Sequence, residues 1–182
     1  MNPLQLIHQY YAGQPELEAL LIRHSRQVAG RSLTIALAHS EWNLDLQFLY
    51  EAAMLHDIGI LRTDAEGILC KGTEPYICHG RLGADILRSE GLERHARVAE
   101  RHTGTGLTAR QIAERQLPLP VQDFVPETLE EKVVCYADKF YSKSHPEVEK
   151  TYEQALRSLQ KFGEEGVQIF TSWHELFENS SI

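Results

Sequence analysis

The 182-residue chain is short of most features that set a protein apart from the ordinary globular class. No run approaches the ~18 consecutive apolar residues that a membrane-crossing helix needs, so no membrane association is expected. The opening "MNPLQLIHQYYAGQPELEAL" lacks the basic-then-apolar order of a signal peptide, and the cytoplasm is the expected compartment. Cysteine is scarce. Cys70, Cys78 and Cys135 are odd in number and show no C-x-x-C spacing, so neither a disulfide framework nor a thiolate zinc site is expected. Positive charge is short as well: 18 Lys and Arg against 26 Asp and Glu leave a net charge of −8. A general binder of nucleic-acid polymers shows the opposite balance. A nucleotide remains admissible as a small substrate, because a metal supplies positive charge locally. Alternating strand patterns, internal repeats and low-complexity runs are also absent.

What is present is helical periodicity, and 42 % hydrophobic residues are enough for a core. "PELEALLIRHSRQVAGRSLTIALAHS" carries Leu17, Leu20, Leu21, His24, Val28 and Ile35 along one stripe, with Pro15 at its start. "NLDLQFLYEAAMLHDIG" begins at a cap on Asn43 and ends at Gly59. "LRTDAEGILCKGTEPY" mixes breakers and polarity and reads as a loop. "HGRLGADILRSEG" and "LERHARVAERHTG" read as short helices stopped by Gly91 and Gly104, and Thr108 caps "ARQIAERQ". The three prolines of "LPLPVQDFVP" exclude regular helix. "ETLEEKVVCYADKFYSKS" and "PEVEKTYEQALRSLQKFGEEGVQIFTSWHELF" are helical again. The expected class is all-α: a helical core over residues 1–145 and a helical extension over 146–182 packed on the same domain.

Nine histidines stand out in so small a chain. His24 shares a face with Leu20, Leu21 and Val28. His56 follows Ala52 and Ala53, His79 precedes Leu82, Gly83 and Ile86, His102 follows Val98 and Ala99, and Asp138 lies between Val134 and Tyr141. By helical periodicity each points to the core side of its helix. Asp57 adjoins His56 in "MLHDIG". One such histidine is ordinarily a satisfied core residue. Six such groups on five helices call for joint satisfaction, because buried imidazoles and carboxylates must be paired or metal-bound. A shared cation achieves this, and a donor set without thiolate suits iron, manganese, zinc or nickel. His8, His39, His145 and His174 fall near helix ends or among polar neighbours. His95 shares the face of His102 and is expected at the rim, beside the ligands or at the substrate's edge.

The order His24, His56-Asp57, His79, His102, Asp138 on consecutive helices resembles the HD-domain metal-dependent phosphohydrolase superfamily. "MLHDIGI" is similar to its name-giving motif and "YADKF" to its final aspartate motif. "HGRLGADIL" and "ERHTGTG" resemble the additional histidine motifs of two-metal subfamilies, including the small bacterial enzymes that hydrolyse diadenosine tetraphosphate symmetrically. "FVPETLEEKVVCYADKF" resembles a subgroup of small, uncharacterised HDIG proteins. The resemblance covers roughly residues 16 to 145 and implies an HD-domain helical bundle.

It further implies that His24, His56, Asp57 and Asp138 hold a first metal, and that Asp57 bridges to a second held by His79 and His102. Asp57, His79 and His102 then form the catalytic group around a metal-activated water, and iron is the metal expected first. The expected partner is a small phosphorylated substrate such as a nucleotide; a homodimer is compatible with the apolar positions of the last helices. Lys139, Arg23, Arg62, Lys71, Arg81, Arg101 and Thr103 are the candidates for phosphate contact, with Thr105 beside them. Three other readings stand beside this one: a di-iron HD-type oxygenase, a mononuclear HD phosphatase, and a degenerate HD fold used as a binding module. Oxygen consumption with polyols or phosphonates separates the first of these from a hydrolase.

Overall fold

The computed structural model describes residues 1–178. Nine α-helices are found among them: α1 (Pro3–Tyr11), α2 (Pro15–Ala38), α3 (Leu46–Leu55), α4 (His79–Ser89), α5 (Glu93–Arg101), α6 (Ala109–Glu114), α7 (Leu129–Asp138), α8 (Tyr152–Leu159) and α9 (Glu164–Glu178). The all-α reading holds. The last four residues of the expected extension, 179–182, lie outside the described residues.

Local chemistry sets most helix limits. Pro15 sits at the first position of α2, where its missing N–H costs nothing. Thr108, Thr128 and Thr151 each build a capping box, with Gln111, Glu131 and Gln154 returning the bond. Gly91 and Gly104 adopt positive φ just past α4 and α5, as a helix stop requires.

Four expectations are corrected. Asp45, not Asn43, caps α3 by accepting from the Phe48 N–H, while Asn43 turns the chain at φ 49°. Gly59 does not end that helix: α3 stops at Leu55, and Ile58–Arg62 continues as a 3-10 turn. A Cβ on Gly59 would lie 2.2 Å from the His79 carbonyl and 2.3 Å from the Gly83 nitrogen, so glycine is required for the backbone of α4 to approach. The stretch expected to be a loop contains three tiny strands, β1 (Thr63–Ala65), β2 (Cys70–Lys71) and β3 (Glu74–Pro75), in the order β2-β1-β3. β1 pairs antiparallel with β2 and parallel with β3. Strands of two and three residues are too short to show alternation. The C-terminal helical stretch is likewise broken in two, at Gly163 with φ 103°.

The core runs through the middle of the molecule. α2 packs along α3 and α7, and α4 packs on α5 and on the Ile58–Arg62 turn. Leu49, Ala53, Met54 and Leu55 of α3 are completely buried, as are Leu21 and Val28 of α2 and Val133, Val134 and Tyr136 of α7. Each large side chain among them contributes roughly 1.5–3 kcal/mol by leaving water. α9 lays Phe170, Trp173 and Phe177 against this core, touching α7, and α8 packs on α9. α2, α3, α4, α5 and α7 thereby point particular ends and faces at one spot.

Candidate metal centre

Five elements deliver six side chains to that spot. His24 projects from mid-α2, on the stripe that buries Leu17, Leu20, Leu21 and Val28. His56 and Asp57 follow the last residue of α3, His79 opens α4, His102 follows α5, and Asp138 ends α7. All but Asp138 are nearly or wholly buried, and Asp138 is 12 % exposed at its side chain.

The two oxygens of Asp57 face two different groups of imidazoles. Oδ2 lies 3.1 Å from His24 Nε2 and 3.0 Å from His56 Nε2. Oδ1 lies 3.4 Å from His79 Nε2 and 3.3 Å from His102 Nε2. Asp138 Oδ1 closes the first group at 3.0 Å from His24 and 3.5 Å from His56. Two sets of donors thus form around one shared carboxylate, His24–His56–Asp57–Asp138 and Asp57–His79–His102, each within 4.8 Å.

Hydrogen bonding fixes the imidazoles' orientation. Nδ1 of His56 donates to the Ala53 carbonyl, Nδ1 of His79 to Tyr76 and Nδ1 of His102 to Ala99, each at 2.7 Å. Each ring therefore carries a proton on the outer nitrogen, and a neutral ring turns a lone pair inward. His79 Nε2 and His102 Nε2 then face each other at 3.0 Å, lone pair to lone pair. Beyond the imidazoles, Oδ1 of fully buried Asp57 has no hydrogen-bond or cationic partner, Oδ2 meets only the Lys143 ammonium, and His56 Nε2 accepts and donates no hydrogen bond. A buried carboxylate left this way is costly unless a cation meets it. The residues present fit metal ions.

Electrostatics agree. Burial opposes the charge on Asp57, but Lys143 and His56 outweigh it and hold the carboxyl well below its ordinary range. Asp138 is held low against the same burial by Lys139 and His24. Burial pushes His79 down to about 3 and lowers His102, keeping both neutral as ligands must be. His56 is the exception: burial opposes its charge, yet Asp57 and Asp138 raise it to about 9, so its inward nitrogen keeps a proton that a bound metal ion would displace.

The centre forms one side of an open pocket of about 670 Å³. Of the candidates for phosphate contact, Lys139 and Thr103 line it. Lys139 is committed to orientation: its ammonium bonds Asp138 Oδ2 at 2.7 Å and the His102 carbonyl at 2.9 Å. The other basic candidates do not line this pocket. Arg23 faces Glu147, Arg81 pairs with Asp85 one turn on, and Arg101 is held by Glu127 and the Val125 carbonyl. Arg62 and Lys71 are exposed around the small sheet, outside the pocket. Thr105 is buried toward Gly166 of α9. His95, two turns of α5 before His102, bonds Glu51 at 3.1 Å and does not line the pocket.

The sequence reading missed Lys143 and Tyr76. The Lys143 ammonium is ion-paired with Asp57 Oδ2, and Tyr76 stacks on His79 at 4.6 Å. Lys143 lies five residues beyond Asp138, close enough to return to the same site, and that proximity was the one available signal. Burial drives the Tyr76 phenol up to about 12, so it stays a neutral hydroxyl.

Comparison with known proteins places this geometry. The chain is similar to two proteins named tRNA (cytidine(56)-2'-O)-methyltransferase. The one from Thermoplasma volcanium is 35 % identical over 140 residues, 76 % of this chain and 35 % of that protein. The one from Picrophilus torridus is 36 % identical over 124 residues, 68 % of this chain and 32 % of that protein. This chain spans about a third of the length of either. It is also 39 % identical over 107 residues to an uncharacterised protein of Methanocaldococcus jannaschii, covering 58 % of this chain and 56 % of that one. No solved structure matches significantly. The family model that matches is that of the HD domain as such, without singling out the diadenosine tetraphosphate hydrolases. Its match runs over residues 21–142 and so encloses all six converging side chains from His24 to Asp138: the chain belongs to the HD domain family.

Proposed function

We propose that this chain is a metal-dependent phosphohydrolase acting with water on a nucleotide or other small phosphate ester at a dinuclear His/Asp site. The observation that carries the reading is the convergence of four imidazoles and two carboxylates on one buried spot, with the lone pairs of His79 and His102 turned toward Asp57 Oδ1. It does not rest on the methyltransferase name of the two relatives, of whose length this chain spans about a third. His24, His56, Asp57 and Asp138 would hold one ion, and Asp57, His79 and His102 a second. Iron is the metal expected first; manganese, nickel and zinc take the same donors. Divalent ions in such a site supply Lewis acidity toward phosphoryl oxygen and bring water's pKa toward neutrality.

The chain's own groups do the rest. The carbonyls of Ala53, Tyr76 and Ala99 hold three imidazoles in one tautomer. Lys139 fixes Asp138 so that Oδ1, not Oδ2, faces the imidazoles. Lys143 places a buried ammonium beside Asp57, where an anionic oxygen entering from the pocket meets it. Burial keeps bulk water from competing for these contacts.

Elemental analysis of anaerobically purified protein, followed by a phosphate-release screen over nucleotides and dinucleoside polyphosphates, tests this. More than one transition metal per chain is expected, with Asp57→Ala losing both ions and all phosphate release. A stoichiometry of one, unchanged in His79→Ala, overturns the dinuclear site and leaves a mononuclear phosphatase.

A further inference from the structure

The pocket beside the metal centre contradicts the charge of the chain that builds it. The whole chain carries −8, yet four lysines line this cavity: Lys139, Lys143, Lys150 and Lys161. Among the described residues its only acidic lining is Asp138, already taken up by His24 and Lys139. Three of the four lysines lie past residue 142, where the HD match ends, and two of them, Lys150 and Lys161, come from the C-terminal extension.

The four differ in what they already hold. Lys139 and Lys143 are paired with Asp138 and Asp57 at the metal centre. Lys150 and Lys161 have no ion pair among the described residues. Lys150 is anchored through its backbone, whose N–H donates to the Phe140 carbonyl at 2.8 Å. Lys161 follows α8 in the 3-10 turn Gln160–Phe162. That turn is pinned at Phe162, whose ring packs over Gly104, and at the Lys161 and Phe162 carbonyls, which accept from Arg115 at 3.2 and 2.6 Å. Two unpaired ammonium groups on fixed backbone, in a cavity also lined by Ser142, Ser144 and Ser158, make a seat for an anion beyond the one at the metals.

We infer that the extension makes this pocket selective for a small substrate carrying at least two phosphoryl groups, with Lys150 and Lys161 holding the group that is not cleaved. This rests on the phosphohydrolase reading for the reaction, though not for the binding. A monophosphate satisfies the centre and leaves the far lysines empty; a phosphate chain bridges both. About 670 Å³ accommodates such a ligand.

The test is calorimetric titration of the full chain with inorganic tripolyphosphate and with orthophosphate, with metal content measured before and after. Wild type should prefer tripolyphosphate by about tenfold or more. The Lys150→Gln/Lys161→Gln variant should lose that preference while keeping its orthophosphate affinity, metal content and melting temperature, and the Lys150→Arg/Lys161→Arg variant should retain it. A wild type without the preference, or a Gln variant that still shows it, overturns the inference and leaves the phosphohydrolase reading intact. A metal-loaded wild type that binds tripolyphosphate selectively but releases phosphate from no ester overturns the hydrolase reading and leaves the binding seat standing.

Discussion

At the scale of single residues, the most constrained position next to the ligands is one that touches no metal. Gly59 lies where any Cβ would meet the backbone of His79 and Gly83, so the chain after Asp57 and the start of α4 are in contact through main chain alone. Backbone cannot rotate away as a flexible side chain can. Gly59→Ala is expected to cost about 3 kcal/mol, the upper range for overpacking, measured by urea unfolding. It should also lower the metal stoichiometry, because His79 moves with α4. Five of the six converging side chains were legible in the sequence, because each sits on a helical stripe of apolar residues and a buried polar group there needs an explanation; Asp57 was marked by its place beside His56. Lys143 was not legible. The sequence reading carried helix through it, but α7 ends at Asp138, and in the irregular chain beyond tertiary packing alone turns the ammonium inward.

At the scale of elements, the junction of α3, α5 and the N-terminus is held by a cluster separate from the site. Glu51 accepts from His95 Nε2 at 3.1 Å and from the Met1 ammonium at 2.9 Å, and Gln47 adds a third bond at 2.6 Å. Burial lowers the pKa of His95 below its ordinary 6.5, with Glu51 opposing and the Arg94 and Met1 cations assisting. The unfolded chain therefore takes up a proton near pH 6.5 that the folded chain refuses, and stability falls as pH drops through that range. Glu51 adds a loss of the same sign at lower pH. Burial opposes its charge, but its partners lower its pKa from 4.5, and that gain disappears as the carboxylate protonates. The melting temperature of wild type should exceed that of His95→Gln by more at pH 7.5 than at pH 5, a comparison that cancels the titration of groups common to both. Helices were readable at this scale because three turns of stripe leave a pattern. The sheet was not, since β2 and β3 have two residues each and depend on Gly72, whose Cβ would lie 2.1 Å from the Arg62 carbonyl carbon.

At the scale of the molecule, α8 and α9 are part of the core. Phe170 of α9 is wholly buried, with its ring 5.0 Å from that of Tyr136, 5.9 Å from Phe140 and 5.8 Å from Tyr152. Phe170→Ala should cost about 3–5 kcal/mol in chemical denaturation. It should also loosen the pocket wall that α8 carries, which the tripolyphosphate titration reads independently. Nothing in the sequence said which surface these helices would cover, because their apolar positions fit a core, a lid or a dimer face equally. The lysine-lined cavity in an acidic shell has a kinetic consequence. An approaching polyanion is repelled by the whole body at long range and attracted only once inside the mouth. Salt screens the first effect over about 10 Å at 0.1 M and also weakens the second. Raising ionic strength should therefore quicken capture and quicken escape together, so stopped-flow mixing would show a faster association rate alongside a weaker equilibrium affinity.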